Sequence, residues 1–129
     1  MSDRTIGILG LGIFGSSVLT ALAKQDMNII AIDDHAEHIN QFEPVLARGV
    51  VGDITDEELL RTAGIDTCDT VVVATGENLE SSVLAVMHCK SLGVPRVIAK
   101  VKSQTAKKVL EKIGADSVIS PEYEMGQSL

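Results

Sequence analysis

Tryptophan is absent from this chain of 129 residues, and one tyrosine and two phenylalanines are its whole aromatic complement. With so few rings the core has to be aliphatic, and stacking platforms for single-stranded nucleic acid are essentially missing. Basic residues are outnumbered by acidic ones, 11 against 18, for a formal charge of −7. A surface of that sign repels phosphate backbones and anionic lipid, so nucleic acid and the bare membrane are poor direct partners. The only two cysteines, Cys68 and Cys89, lack C-x-x-C spacing, which suits reduced, buried thiols in a cytoplasmic protein. No stretch approaches the roughly 20 apolar residues of a membrane span. The start, "MSDRT", lacks the apolar centre of a signal peptide.

What is present is an ordinary globular balance, 45% hydrophobic and 22% charged, in a length suited to one domain. Short Val- and Ile-rich runs fall at residues 5–10, 28–33, 45–52, 70–75, 96–101 and 117–120. Most are continuous rather than alternating, as strands buried on both faces of a parallel sheet are. Helical patterns separate them. Phe14, Val18 and Leu22 make an i, i+4, i+8 stripe that can face a sheet. Thr55 and Glu58 have capping-box spacing for a helix through Leu60. Asn78 opens a helix that ends near Gly93, with Pro95 beyond it, and Ser103 opens another that ends at Gly114. Strand–helix alternation with short links predicts an α/β domain with right-handed crossovers and a doubly wound parallel sheet. The last residues, 121–129, read as the entry to a crossover helix that stops almost at once, so the chain is expected to be truncated from a longer one.

Gly10, Gly12 and Gly15 form G-x-G-x-x-G directly after the first apolar run and at the start of a helical pattern. That context suits a dinucleotide fingerprint, with Gly10 for the turn, Gly12 for close approach of a pyrophosphate and Gly15 for helix–strand packing. The helix N-terminus would offer N–H groups to phosphate. Asp33 closes the second run, where a carboxylate can accept both hydroxyls of an adenosine ribose and repel a 2′-phosphate, which disfavours NADP. Strand alternation points its neighbour Asp34 elsewhere. Further candidates lie at the carboxyl ends of later strands. Asp53 and Ile54 can flank the adenine, Asp53 serving equally well as a turn former. Ala74, Thr75, Gly76 and Asn78 can line the crevice near the phosphates, and Lys100 can pair with one of them.

Other constellations fail. His35 and His38 are i, i+3 on a helical pattern, but no Cys or acidic cluster completes a metal set, so they read as surface residues. His88 reads as core or interface packing. Ser16 and Ser17 have no His–Asp pair to activate them, and the G-K-[ST] of a P-loop is absent. No His, Tyr or Lys stands out as a catalytic acid, and no second domain is left for a second substrate. Binding without catalysis is the expectation, with the NAD-binding domain of an oxidoreductase as the alternative.

"IGILGLGIFGSSV", "IIAID", "VVGDITDEELLRTAGI", "VVVATGENLESSVLA" and "AKKVLEKIGADSVISPEYEMG" together resemble the N-terminal regulator-of-potassium-conductance (RCK, or TrkA-N) domain of KtrA/TrkA-type subunits. The resemblance covers essentially the whole chain. It implies a Rossmann-like six-stranded sheet of order 3-2-1-4-5-6 and a C-terminal domain beyond residue 129. It implies a homo-oligomer, dimeric and then a ring, at the cytoplasmic face of an integral-membrane K+ transporter subunit of TrkH/KtrB type. ATP, ADP or NAD(H) would bind at the glycine loop and gate the pore by changing the ring's shape. On this resemblance Gly10, Gly12, Ile13, Phe14 and Gly15 belong to the phosphate loop, Asp33 to the ribose and Asp53 and Ile54 to the adenine. Glu122 would help hold a divalent cation at a subunit interface. Ile13 departs from the pattern, because ATP-responsive members carry Arg there. Losing that guanidinium should weaken selection for a third phosphate. The start "MSDRT" suits a separate subunit rather than the gating domain of a channel or antiporter.

Overall fold

Six short strands, β1 (Thr5–Leu9), β2 (Asn28–Asp33), β3 (Arg48–Val51), β4 (Thr70–Val73), β5 (Arg96–Lys100) and β6 (Ser117–Ile119), pair in parallel in the order β3-β2-β1-β4-β5-β6. The computed structural model describes residues 4–75 and 78–120. Among the described residues five α-helices alternate with the strands: α1 (Ile13–Leu22), α2 (Ala36–Phe42), α3 (Glu57–Ala63), α4 (Leu79–Ser91) and α5 (Gln104–Ile113). This is the Rossmann-like order expected. The helix expected to begin at 121–129 lies outside the described residues.

The continuous apolar runs divide residue by residue between two faces, since successive side chains on a strand point oppositely. Ile8, Ile29, Ala31 and Val72 join Leu19 of α1 and Ile39 of α2 in one core cluster, with Phe14, Val18 and Leu22 packed against it. Leu9, Ile30, Ile32, Val71 and Val73 join Leu60 of α3, Ala85 of α4 and Leu110 of α5 in the other. Both faces of the central strands are therefore covered, and that is why their sequences do not alternate.

Two local expectations are corrected. The apolar run at 45–52 predicts one strand, but residues Glu43–Val45 form a 3₁₀ turn with Pro44 inside it, and the strand starts only at Arg48. Proline's fixed φ suits the turn and removes a ladder donor. The capping box at Thr55 and Glu58 does not form. Asp56 is the N-cap of α3, its carboxylate accepting from Leu59 N–H at 3.2 Å, while Thr55 turns back to Asp53 and Glu58 pairs with Arg61. Asp56→Ala is therefore expected to destabilise the chain by about 1 kcal/mol in urea unfolding, whereas Glu58→Ala should change little.

The other caps form where expected. Asn78 accepts from Glu80 N–H at 2.9 Å, Ser103 Oγ accepts from Ala106 N–H at 3.1 Å, and Gly114 ends α5 at φ 117°. Cys68 and Cys89 are free, buried thiols in the second cluster, each pushed up to about 12, chiefly by burial. Among the described residues no helix is long and apolar enough to cross a membrane.

Candidate functional site

Strand order reverses at the centre of the sheet, where β1 lies between β2 and β4, and chain segments leaving their carboxyl ends diverge to open a crevice. The glycine loop fills the mouth of that reversal. Gly10 turns the chain at φ 100°, a left-handed conformation that glycine adopts without strain, and its N–H donates to Ile32 O at 2.8 Å. Gly12 is the N-cap of α1 and has no side-chain cap, so first-turn N–H groups face outward without an intrahelical partner. A Cβ on Gly12 would meet nothing within 4 Å, so the open space begins at its backbone. A Cβ on Gly15 would collide with the carbonyl oxygen of Gly10 and stand 3.1 Å from Ala74 Cβ. Gly15 thus lets α1 start hard against the loop. Uncapped donors beside open space make a cradle that suits phosphate.

Asp33 ends β2 and is buried at 6% exposure. Its Oδ2 accepts from Leu11 N–H at 2.6 Å, which ties the glycine loop to β2. Its Oδ1 accepts from His35 N–H at 2.7 Å and lies 3.1 Å from Nδ1 of both His35 and His38. Burial pushes the carboxyl up, but the N–H groups of Leu11 and His35 and the two imidazoles outweigh it and hold Asp33 below its ordinary value. The histidines are not idle surface residues. Because the chain turns at once after β2, positions i+2 and i+5 return to the strand-end carboxylate, which is the acidic partner the sequence pattern concealed. Asp34 is corrected for the same reason. The strand has ended, alternation no longer applies, and its carboxylate lies 2.7 Å from His35 Nδ1.

The hydrogen bond to Asp33, and then the charge of Asp34, hold the His35 imidazole above its ordinary 6.5. Protonated His35 therefore stabilises the fold. Its contribution is complete below the unfolded value and is lost as pH rises through the higher folded one. An NMR titration is expected to place the His35 midpoint above 6.5, and His35→Gln should flatten the loss of stability across that interval. A midpoint at or below the ordinary value would refute the pairing.

A cleft of about 740 Å³ runs over these strand ends. Its walls include Gly10, Gly12, Ile13 and Phe14 from the loop, and Asp33 from β2. Asp53 and Ile54 follow β3, Ala74 and Thr75 follow β4, and Lys100 closes β5. Asp53 also forms its own turn, Oδ1 accepting from Thr55 N–H at 2.8 Å and from Thr55 Oγ1 at 2.7 Å. Those bonds hold its carboxyl below the ordinary value. Lys100 Nζ stands 6.0 Å from the centre of the Phe14 ring.

Two candidates are placed differently. Gly15 lies beneath the loop rather than on the wall, and Asn78 is engaged as the cap of α4. Gly76 and Glu122 lie outside the described residues. The cleft adds Ser17, Asp34, His35, His38, Gly52 and Ser81, none of which the sequence motifs place there. Ser17, four residues after Ile13, was legible as the same face of α1; Ser81 follows one turn after the Asn78 cap. His88 lies away from this wall, its Nε2 2.9 Å from Thr55 O.

Residues 6–121 match the family model described as the TrkA-N domain. The chain is 35% identical over 126 residues to the Ktr system potassium uptake protein C of Bacillus subtilis, covering 98% of this chain and 57% of that relative's length. Among solved structures, the TrkA-N domain of inner membrane protein ybaL from Escherichia coli superposes with a TM-score of 0.87 at 17% identity, covering 99% of this chain and 94% of that one. The GsuK channel bound to NAD gives a TM-score of 0.76 at 18% identity, over 92% of this chain and 21% of that one. The Shewanella denitrificans Kef CTD in AMP-bound form gives 0.80 at 18% identity, over 95% and 75%. Likeness at these identities establishes the shared fold.

Proposed function

Because the chain belongs to the TrkA-N domain family, we propose that its cleft binds an adenine nucleotide, ATP, ADP or NAD(H), and that the domain is the nucleotide sensor of a membrane K+ transporter. One observation carries this reading. The buried carboxylate of Asp33 and the uncapped start of α1 at Gly12 bound the same cleft, joined by the bond from Leu11 N–H to Asp33. A ribose needs the first and phosphates need the second. The ribose hydroxyls would donate to Asp33, and the N–H groups at Gly12 and Ile13 would receive phosphate oxygens. Ile54 and the ring of Phe14 would exclude water, and Lys100 would add a positive charge at the phosphate end. The similarity to proteins whose structures hold NAD and AMP supports the ligand class.

Sensing follows from linkage. A nucleotide shifts an assembly between two shapes only as far as it binds them differently. In this reading the domain assembles with copies of itself, as a dimer and in the longer chain a ring, beside an integral-membrane K+ transporter subunit. Gly76 and Glu122 complete the proposed set, Glu122 through a divalent cation at a subunit interface. The relative from Bacillus subtilis, a potassium uptake protein, supports the transported ion.

Calorimetric titration with ATP, ADP, NAD+, NADH and NADP+ tests the ligand. All but NADP+ are expected to bind and to remain unconverted. ATP and ADP should differ by less than about fivefold, because the exposed Ile13 supplies none of the roughly tenfold that a charge-assisted bond adds. Failure of every adenine nucleotide to bind, or hydride transfer from NADH to a carbonyl substrate, would overturn the reading.

A further inference from the structure

Three nitrogen and oxygen donors meet where β2 gives way to α2. Asp33, His35 and His38 each offer a ligand atom within 4.8 Å of the others', and both imidazole Nδ1 atoms lie 3.1 Å from Asp33 Oδ1. The geometry is hard to satisfy with protons alone. Oδ1 already accepts from His35 N–H at 2.7 Å, and both imidazoles bring Nδ1 to the same atom at 3.1 Å. An oxygen has about two lone-pair sites, so three donors oversubscribe it. Both rings would need a proton on Nδ1, and they stand only 4.8 Å apart, tilted by 36°. If either ring were to turn a bare lone pair to the carboxylate, it would be repelled.

We propose that Asp33, His35 and His38 bind one divalent transition-metal ion of the zinc class. A cation in place of the two protons satisfies all three donors at once. Bonds of roughly 2.0–2.1 Å to tetrahedral ligands set those ligands about 3.3 Å apart, close to the 3.1 Å separations from Asp33 to each imidazole. Two imidazoles and one carboxylate suit Zn²⁺, Co²⁺ or Ni²⁺ rather than Mg²⁺, which prefers an all-oxygen shell. Outer support is in place. Leu11 N–H holds Oδ2 at 2.6 Å and His35 N–H holds Oδ1, fixing the carboxylate's orientation as metal sites require. Asp34, 2.7 Å from His35 Nδ1, adds negative charge nearby. With three protein ligands the fourth position opens to the cleft, where water or a bound molecule completes the shell. The site shares the Asp33 carboxylate with the ribose contact proposed above, so metal and nucleotide would compete for it, and the metal is tested without nucleotide.

The test uses chelator-treated chain without nucleotide. Zn²⁺ is titrated by calorimetry and Co²⁺ by visible absorption, whose intensity distinguishes tetrahedral from octahedral ligation. One ion per chain is expected, with tetrahedral Co²⁺ absorption. The imidazole NMR signals of His35 and His38 should shift while those of His88, the third histidine, stay put. The double variant His35→Gln, His38→Gln alters side chains at the surface and is checked for folding by circular dichroism. It should bind Zn²⁺ at least about a hundredfold more weakly, exceeding the 10–100-fold of lost outer support. No stoichiometric binding, binding that survives the double variant, or Co²⁺ absorption of thiolate type would each overturn the proposal.

Discussion

Asp33→Ala is expected to weaken ATP, ADP and NAD+ together, by about 10- to 100-fold, the loss of hydrogen bonds to a charged group. The three share the adenosine diphosphate moiety, so a uniform loss points to a contact with that common part, where the ribose lies, and a selective loss to a contact beyond it. Calorimetry on wild type and variant reads this directly, and equal affinities would remove Asp33 from the site. The substitution also strips Leu11 N–H and His35 N–H of their acceptor, which should cost stability of about 1–3 kcal/mol. Asp33→Asn separates the effects, since its amide oxygen can keep one of those bonds while the charge is gone. The sign with pH follows from the depressed carboxyl. The stability it confers is present above the ordinary carboxylate value and is lost as pH falls through the lower folded one.

Gly15→Ala is the second large effect, and it strikes the fold rather than the ligand. The new methyl would be driven into the Gly10 carbonyl, with Ala74 Cβ 3.1 Å away. Backbone on one side and buried β4 exit on the other leave no flexible side chain to yield. Overpacking of this kind costs about 1–3 kcal/mol or more, measurable as a lower urea midpoint with unchanged slope. Gly12→Ala is the contrasting control, because its Cβ meets nothing within 4 Å and its φ is an ordinary −72°. That variant should lose no more than about 1 kcal/mol, the difference between glycine and alanine at an N-cap, yet bind nucleotide less tightly, its methyl occupying space the phosphates need. Should both variants prove equally stable, the close approach of α1 to the loop would be disproved.

The motif assigns these two glycines different tasks, close approach at Gly12 and helix–strand packing at Gly15, and the space around each differs accordingly. Strand content was legible because Ile29–Ile32 and Val71–Val73 are apolar at every position, a pattern that a sheet covered on both faces imposes. The edge at β3 was not, because Val45 and Leu46 continue the apolar run while Pro44 diverts the backbone. Asp33 was legible from its place at a strand end. His35 and His38 were not, since their relation to Asp33 depends on the chain reversing directly after β2, and sequence spacing on a helix says nothing of the residue before it. Asp56 outcompeted the Thr55 pair because Asp53 took Thr55 for its own turn. Such short-range competition among Asp, Thr and Asn leaves little trace in a linear pattern.

The buried thiols give the domain a built-in clock. A thiolate is the reactive form, and at values near 12 almost none exists while the core is closed. Cys68 lies under β1, where a Cβ on Gly7 would touch its sulfur at 3.2 Å, and Cys89 is on α4 within the same cluster. Both are buried in that cluster, at 3% and 0% exposure. Alkylation therefore counts openings of the shared core, and its rate converts to the free energy of those openings when closing outpaces labelling. Any ligand that binds the closed chain alone must slow that clock by the factor by which it populates the bound state. The thiols thus report on the occupancy of a cleft they do not line.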